Sequence, residues 1–259
     1  MMTTYAKVIC DSISPLGVRL TSIELQFPRF ILPQLLMTRL WSRSCESMRA
    51  RPTNSKLKEV ETDFYLPEFH KNQKGMTAGD VLTPDEMGEA AFVWGEASGN
   101  AVESVKKLVA LGVAKQWANR LLEPFAYQKM LVTATDFHNF FRLRCADDAQ
   151  PEIQVLASMM RGAICNSTPT TGFYGLGYHL PYLSKLDFDW LDNYEYSKQC
   201  SAARCARVSY TTHDGKSDMT ADLKLAKTLM DSGHSNPFEH QATPAPDNRR
   251  YANFKGWIS

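Results

Sequence analysis

The sequence predicts an α+β fold, and three observations carry that prediction. Stretches with the two-residue alternation of strands and stretches with helical spacing are mixed along the chain, without the regular strand–helix–strand rhythm of a parallel α/β protein. The chain has 259 residues, 44% of them apolar, enough to bury a sizeable core as one large domain or two small ones. No internal repeat or low-complexity tract interrupts it. The expected architecture is a mixed sheet with packed helices.

The elements follow in order. AKVICDSISPLGVRLTSIELQF carries β-branched runs on both sides of Ser14-Pro15-Leu16-Gly17, which predicts a β-hairpin with Ile23, Leu25 and Phe27 toward one face. Pro28 suits the first turn of a helix in which Ile31 or Leu32, Leu35, Leu36 and Leu40 recur at helical spacing. Residues 53–79 are polar and irregular, and KNQKGMTAGD, residues 71–80, reads as a surface loop. Thr83-Pro84-Asp85-Glu86 supplies an N-cap, a first-turn proline and a capping-box glutamate for a long helix with Ala91, Trp94, Ala101, Val105 and Leu108 on one stripe and Gly112 as its stop. VAKQWANRLLEP predicts a short helix ending before Pro124, and KMLVTAT a buried strand.

Thr135 or Asp136 is positioned to cap a helix over DFHNFFRLR, and a further helix from about Asp147 carries Ile153, Leu156, Met160 and Ile164. A Gly- and Tyr-rich loop lies around Phe173 to Tyr182; Gly172, Gly175 and Gly177 there lack the strand–turn–helix context of a dinucleotide fingerprint. SAARCARVSY reads as a strand, and DMTADLKLAKTLMDSG as a helix closed at Gly233.

Composition excludes several roles. A formal charge of +1 argues against a generic polyanion binder, so no stable nucleic-acid partner is expected. Six cysteines without CxxC pairs point to reduced thiols, no apolar run approaches bilayer length, and the histidines never fall at i, i+4 metal spacing. The expectation is a soluble cytoplasmic protein, with neither a membrane nor a metal.

The charge that stands out is local. In LLMTRLWSRSCESMRARP, residues 35–52, Arg39, Arg43, Arg49 and Arg51 face only Glu46. Arg120 in ANRLLEP and Arg144 in FFRLRCADDAQ also adjoin turn or cap residues. Guanidinium forks match phosphate and carboxylate bidentately, and Ser42, Ser44 and Ser47 can complete an anion cradle, so a phosphorylated small molecule fits. The plain alternative is that these arginines cap helices or pair with acids. GHSNPFEH, residues 233–240, offers polar groups that suit a ribose or heterocycle and suit an ordinary turn equally. Cys45 lies among the arginines, which would favour its thiolate, although burial is the default for a free thiol. No Ser-His-Asp or Cys-His arrangement is supported by local sequence; Cys45 is the conceivable nucleophile, and chemistry without a protein nucleophile would need a cofactor.

These segments resemble the flavin-dependent thymidylate synthases, especially the group found in phage and bacterial genomes. The family signature is RHRxxSxNxxSxR. Residues 37–49, MTRLWSRSCESMR, keep Arg39, Ser42, Ser47 and Arg49 of it. NQKGM, ANRLLEPF, NFFRLRC, DAQPEI, AARCARVSY and GHSNPFEH are also similar to family segments, so the resemblance spans nearly the whole chain. In commoner members the last two precede the signature, which implies a circular permutation in which residues of about 200–240 stand for the usual N-terminal part.

The resemblance implies a single domain over residues 1–259 and a homotetramer with shared active sites in a bacterial or phage-infected cytoplasm. It implies FAD held by Arg39, Asn139, Arg144, Ser209, His234, Asn236 and Glu239, and a deoxypyrimidine monophosphate held by Gln34, Ser44, Glu46, Ser47, Arg49, Arg120 and Arg144. Arg144 and Ser47 are the implied catalytic pair, Arg144 lying between flavin and base. Methylenetetrahydrofolate would supply the carbon and NADPH would re-reduce the flavin, so no enzyme cysteine need attack the base.

The chain departs from the pattern where Met37-Thr38 replace the leading Arg-His, Ser44 replaces Asn, and Ala114 and Ala146 stand where histidines are expected. Altered substrate or lost activity follows as an expectation. Cytosine reverses the N3 and C4 hydrogen-bonding edge of uracil, so a site for dCMP should gain acceptors. Glu46 and Asp147 are candidates, and solvent exposure of both is the plain alternative. Methylation of dUMP to dTMP is the default; a dCMP-methylating or hydroxymethylating enzyme for modified phage DNA and a noncatalytic nucleotide-binding paralogue compete with it.

Overall fold

The computed structural model describes residues 2–172, 177–191, 193–208 and 218–259. The predicted hairpin is present: β1 (Tyr5–Ile13) pairs antiparallel with β2 (Arg19–Pro28) across the turn at residues 14–17, where Gly17 takes φ +76°. β2 then pairs with β4 (Tyr127–Ala134), and β4 with the short β3 (Ser42–Cys45), in the order β1-β2-β4-β3. Every pairing in this sheet is antiparallel. The class is therefore α+β as expected, but the sheet is antiparallel rather than mixed. The hairpin sets the first pairing, and the long excursion between β2 and β4 returns on the edge that antiparallel registry permits.

Two-residue alternation divides the sheet into unlike faces. Ile23, Leu25 and Phe27 of β2 and Met130 and Val132 of β4 are fully buried. They pack with Trp41, with Phe140 of α5 (His138–Arg144) and with Ile153, Leu156 and Met160 of α6 (Pro151–Cys165). The opposite face carries Ser22, Leu131 and Thr133, and there Leu131 meets Cys205 and Val208 at the end of α8 (Tyr194–Arg207). A second cluster packs Leu57 and Val60 of α2 (Thr53–Asp63) against Val102 and Val105 of α3 (Pro84–Ala110). No helix among the described residues is long and apolar enough to cross a membrane.

Several local expectations hold and others are corrected. Thr83 and Glu86 form the reciprocal capping box of α3, and Gly112 and Gly233 adopt positive φ just past α3 and α9 (Met219–Asp231). The helix after Pro28 is shorter than its pattern: a 3-10 turn over Arg29–Ile31 leads into α1 (Leu32–Leu36), and the short strand β3 follows. Residues 53–63, expected to be irregular, form α2, because Leu57 and Val60 find a tertiary partner that local polarity hides. The short helix α4 (Lys115–Ala118) passes into a 3-10 segment, Asn119–Phe125, that runs through Pro124 instead of stopping before it. α6 begins at Pro151, a first-turn proline, and not near Asp147.

The largest correction is SAARCARVSY. Its described part belongs to α8, not to a strand; Ala202, Ala203, Cys205 and Ala206 are small enough for that helix to be buried nearly all round. Arg204 is buried there against Asp187 of α7 (Lys185–Leu191) and Asp222 of α9, tying three helices together. Ser209 lies outside the described residues.

Candidate active site

The arginine-rich stretch separates into arginines already used and arginines left open. Arg51 is buried and its guanidinium reaches Glu46 at 2.8 Å and Glu59 at 3.0 Å. Lys56, 1% exposed, joins the same group through Glu59 at 2.8 Å and Glu46 at 3.5 Å, and donates to the Tyr127 carbonyl at 3.2 Å. Arg43 donates to the Leu36 carbonyl. Arg120 is exposed and pairs with Glu123 at 2.9 Å. Arg39, Arg49 and Arg144, by contrast, form no ion pair among the described residues.

This ionic square braces the signature turn. Residues 47–50 lie between Glu46 and Arg51, and the buried Asn119 amide donates to the carbonyls of Met48 at 2.8 Å and Arg51 at 3.2 Å. The Ser47 carbonyl accepts from Ala50 N–H, and its hydroxyl from Arg49 N–H at 3.3 Å. Arg49 is thereby presented outward from a fixed turn. Glu46 does not face solvent: it is 4% exposed, with its carboxylate committed to Arg51 and Lys56. Asp147 is exposed.

Two depressions gather other predicted residues. One, about 240 Å³, brings Gln34 of α1, Arg39 of the following turn, and Asn139 and Arg144 of α5 together, with Phe140 and Leu143 between them. Gln34 is oriented by a 2.6 Å bond to Gln150, and the Asn139 side-chain Oδ1 accepts from Arg142 at 3.0 Å. Asp136, which the sequence offers only as a possible cap, also lines this space, and its carboxylate accepts from His138 N–H.

The second depression, about 300 Å³, is lined by Ser44 of β3 and by Gly233, His234 and Asn236 from the loop after α9. His234 is held by Ser232 at 2.9 Å, and Asn236 opens the 3-10 turn Asn236–Glu239. Ser47, Arg49, Arg120, Glu46 and Glu239 line neither depression.

Sequence reasoning missed what lies behind Ser44. Its hydroxyl meets His240 Nε2 at 2.9 Å, and His240 Nδ1 meets Thr133 at 2.8 Å, with His240 and Thr133 fully buried. Burial pushes the His240 imidazole down to about 3, so the ring is neutral near pH 7. GHSNPFEH contains both histidines, but nothing local distinguishes the exposed His234 from the buried His240. Cys45 is also decided by burial, which raises its thiol to about 11 despite the opposing fields of Arg43 and Arg29. The arginines do not make it a thiolate.

Fold and site together define an α+β protein with a cationic, ligand-accessible face beside a sheet edge. The chain belongs to the flavin-dependent thymidylate synthase family: the Thy1 family model, thymidylate synthase complementing protein, matches residues 13–170. Among solved structures it is similar to the UMP/dUMP methylase PolB from Streptomyces cacaoi bound with 5-Br UMP, at 19% identity and TM-score 0.54 over 64% of this chain and 90% of that one. The same protein bound with 5-Br dUMP matches at 19% identity and TM-score 0.53, over 63% and 90%. No curated protein sequence matches the chain.

Proposed function

We propose that this chain is an FAD-dependent methyltransferase acting at C5 of a deoxypyrimidine monophosphate, dUMP to dTMP by default, with methylenetetrahydrofolate and NADPH as co-substrates. The observation that carries this reading is the convergence of Gln34, Arg39, Asn139 and Arg144 in one depression, with both guanidinium groups lacking an ion pair among the described residues. Two uncommitted guanidinium forks beside apolar Phe140 and Leu143 suit a ligand that joins phosphate to a flat ring. FAD and a nucleotide both have that character. Membership of the family supports FAD, and the name of PolB, a UMP/dUMP methylase, supports a pyrimidine nucleotide.

In this reading Arg39, Asn139, Arg144, His234, Asn236, Glu239 and Ser209 would hold the flavin. When bound, the flavin supplies hydride chemistry that no side chain offers. Arg144 would polarise the base, while Ser47, Arg49 and Arg120 hold the phosphate at a rim oriented by the Glu46–Arg51 brace. Depressions of about 240 and 300 Å³ are at or below the lower end of small-molecule sites, which fits sites completed by other subunits of a homotetramer. A permuted order also fits, since the family match ends at residue 170 and Cys205, Val208 and His240 pack on the sheet face beside β3.

Release of tritium from 5-tritiated dUMP and dCMP, with methylenetetrahydrofolate and NADPH, tests the proposal, together with the yellow colour of bound flavin. Activity on dCMP alone would overturn the default. A preparation that neither carries nor takes up FAD would favour a noncatalytic paralogue. Glu46, committed to internal cations, gives no support to the dCMP reading.

A further inference from the structure

Four hydroxyls and two imidazoles form one continuous buried row across the sheet. From the β3 edge it runs Ser44, His240, Thr133, Ser22, His179 and Ser12, ending in β1. Successive contacts are 2.9, 2.8, 2.5, 2.8 and 2.9 Å. All six residues are at least nine-tenths buried. Each strand contributes one hydroxyl. Ser44 lines the depression shared with His234 and Asn236, whereas Ser12, with Cys10, lines a different one of about 350 Å³ at the opposite sheet edge.

Such a row has two self-consistent states. A hydroxyl has one proton to donate, and a neutral imidazole carries one N–H and one acceptor nitrogen. Both imidazoles are neutral near pH 7, because burial holds His179 and His240 near 3. If Ser44 donates to His240 Nε2, the proton of His240 lies on Nδ1 and points to Thr133, Thr133 donates to Ser22, Ser22 to His179 Nε2, and His179 Nδ1–H to Ser12. Ser44 then offers the cavity only lone pairs. Reversal of every bond places both imidazole protons on Nε2 and frees the Ser44 O–H to point at the cavity. A mixed arrangement leaves Thr133 and Ser22 facing each other with lone pairs only, or leaves one buried O–H without an acceptor, which the low-dielectric interior penalises.

We propose that His240 is a specificity-determining positioning residue: its tautomer, locked in phase with that of His179, sets whether Ser44 presents a donor or an acceptor to a bound pyrimidine. The proposal rests on the nucleotide reading above, with Ser44 on the base side and His234 and Asn236 on the flavin side of a depression that the two ligands share. It gives the Ser44 position a meaning that a fixed amide would lack, because one hydroxyl can serve either the 4-oxo or the 4-amino edge.

The test is long-range nitrogen-15 NMR of the full chain labelled at its histidine rings, which reports the nitrogen that carries the proton. The same tautomer population is expected at His179 and His240 in the free protein. Saturating dUMP and saturating dCMP, with reversed edges, are expected to hold opposite tautomers, each at both rings. Thr133→Val keeps the side-chain shape but cuts the row, so a nucleotide should move His240 alone and the dUMP-to-dCMP affinity ratio should change by about tenfold, the scale of one unsatisfied buried group. If that variant does not fold, Ser22→Ala cuts the row one position further along.

Opposite tautomers in the free chain, or a nucleotide that moves His240 of the uncut row while His179 stays unchanged, overturns the coupling. Rings in phase but unmoved by either bound nucleotide overturn the assignment of Ser44 to the base. Tritium release measures methylation independently of the ring tautomers, so failure of one reading is distinguishable from failure of the other.

Discussion

Replacing Lys56 by methionine removes one charge from the ionic square without removing much volume. In the intact chain two cations, Arg51 and Lys56, face two carboxylates, Glu46 and Glu59, with separations of 2.8, 2.8, 3.0 and 3.5 Å. Lys56→Met leaves Arg51 to neutralise two largely buried carboxylates, so one negative charge is uncompensated. Breaking a buried pair in this way destabilises by about 3–5 kcal/mol. For a chain of this size each kcal/mol shifts the thermal midpoint by roughly 2–4 °C, so a fall of roughly 6–20 °C is expected. Glu46→Gln in the same background restores the balance between Arg51 and Glu59 and should recover part of the loss. Thermal and urea unfolding of the two single variants and the double variant measure this as a double-mutant cycle. Since Glu46 and Arg51 bracket the Ser47–Arg49 turn, nucleotide KM should rise more than kcat falls. A midpoint within about 2 °C of the parent for Lys56→Met, the shift expected of less than 1 kcal/mol, would refute the reasoning.

Three further outcomes are expected. Arg144→Lys keeps the charge but loses the planar fork, and should lower kcat/KM for 5-tritiated dUMP release by roughly a hundredfold with little change in thermal midpoint. His179 and His240 titrate near 3 when folded and near 6.5 when unfolded, so the unfolded chain binds more protons between those values. Stability should therefore be greatest above about 6.5 and fall with pH at up to roughly 2.7 kcal/mol per unit for the pair, a slope that His240→Gln should about halve in urea titrations at about pH 4.5–6.5. Cys45→Ala should keep activity, and the Cys45 thiol, held near 11, should resist iodoacetamide at pH 7; rapid alkylation of the native protein would contradict its burial.

Legibility along the chain followed the reach of the physical signal. The hairpin, the capping box of α3 and the glycine stops depend on neighbours within a few residues, and all were readable. α2 was not, since only Leu57 and Val60 mark its buried side and their partners, Val102 and Val105, come from a distant helix. α8 was misread because a helix buried nearly all round shows little amphipathic period. In the site, Gln34, Arg39, Asn139 and Arg144 were named from motifs, and three elements bring them together. The arginines themselves were indistinguishable in sequence: Arg51 proves to be structural, while Arg39 and Arg144 remain open toward the depression.

What the residues determined alone was therefore composition, caps, turns, strand alternation and the family signature, all carried by identity and short spacing. What only the tertiary structure decided was pairing. Glu46 met Arg51 and Lys56, burial kept Cys45 a thiol, and four strands aligned Ser12, Ser22, Thr133 and Ser44 with two histidines far apart in the chain. Hydrogen bonds and desolvation depend on distance in space, and sequence separation carries no record of that until the sheet closes.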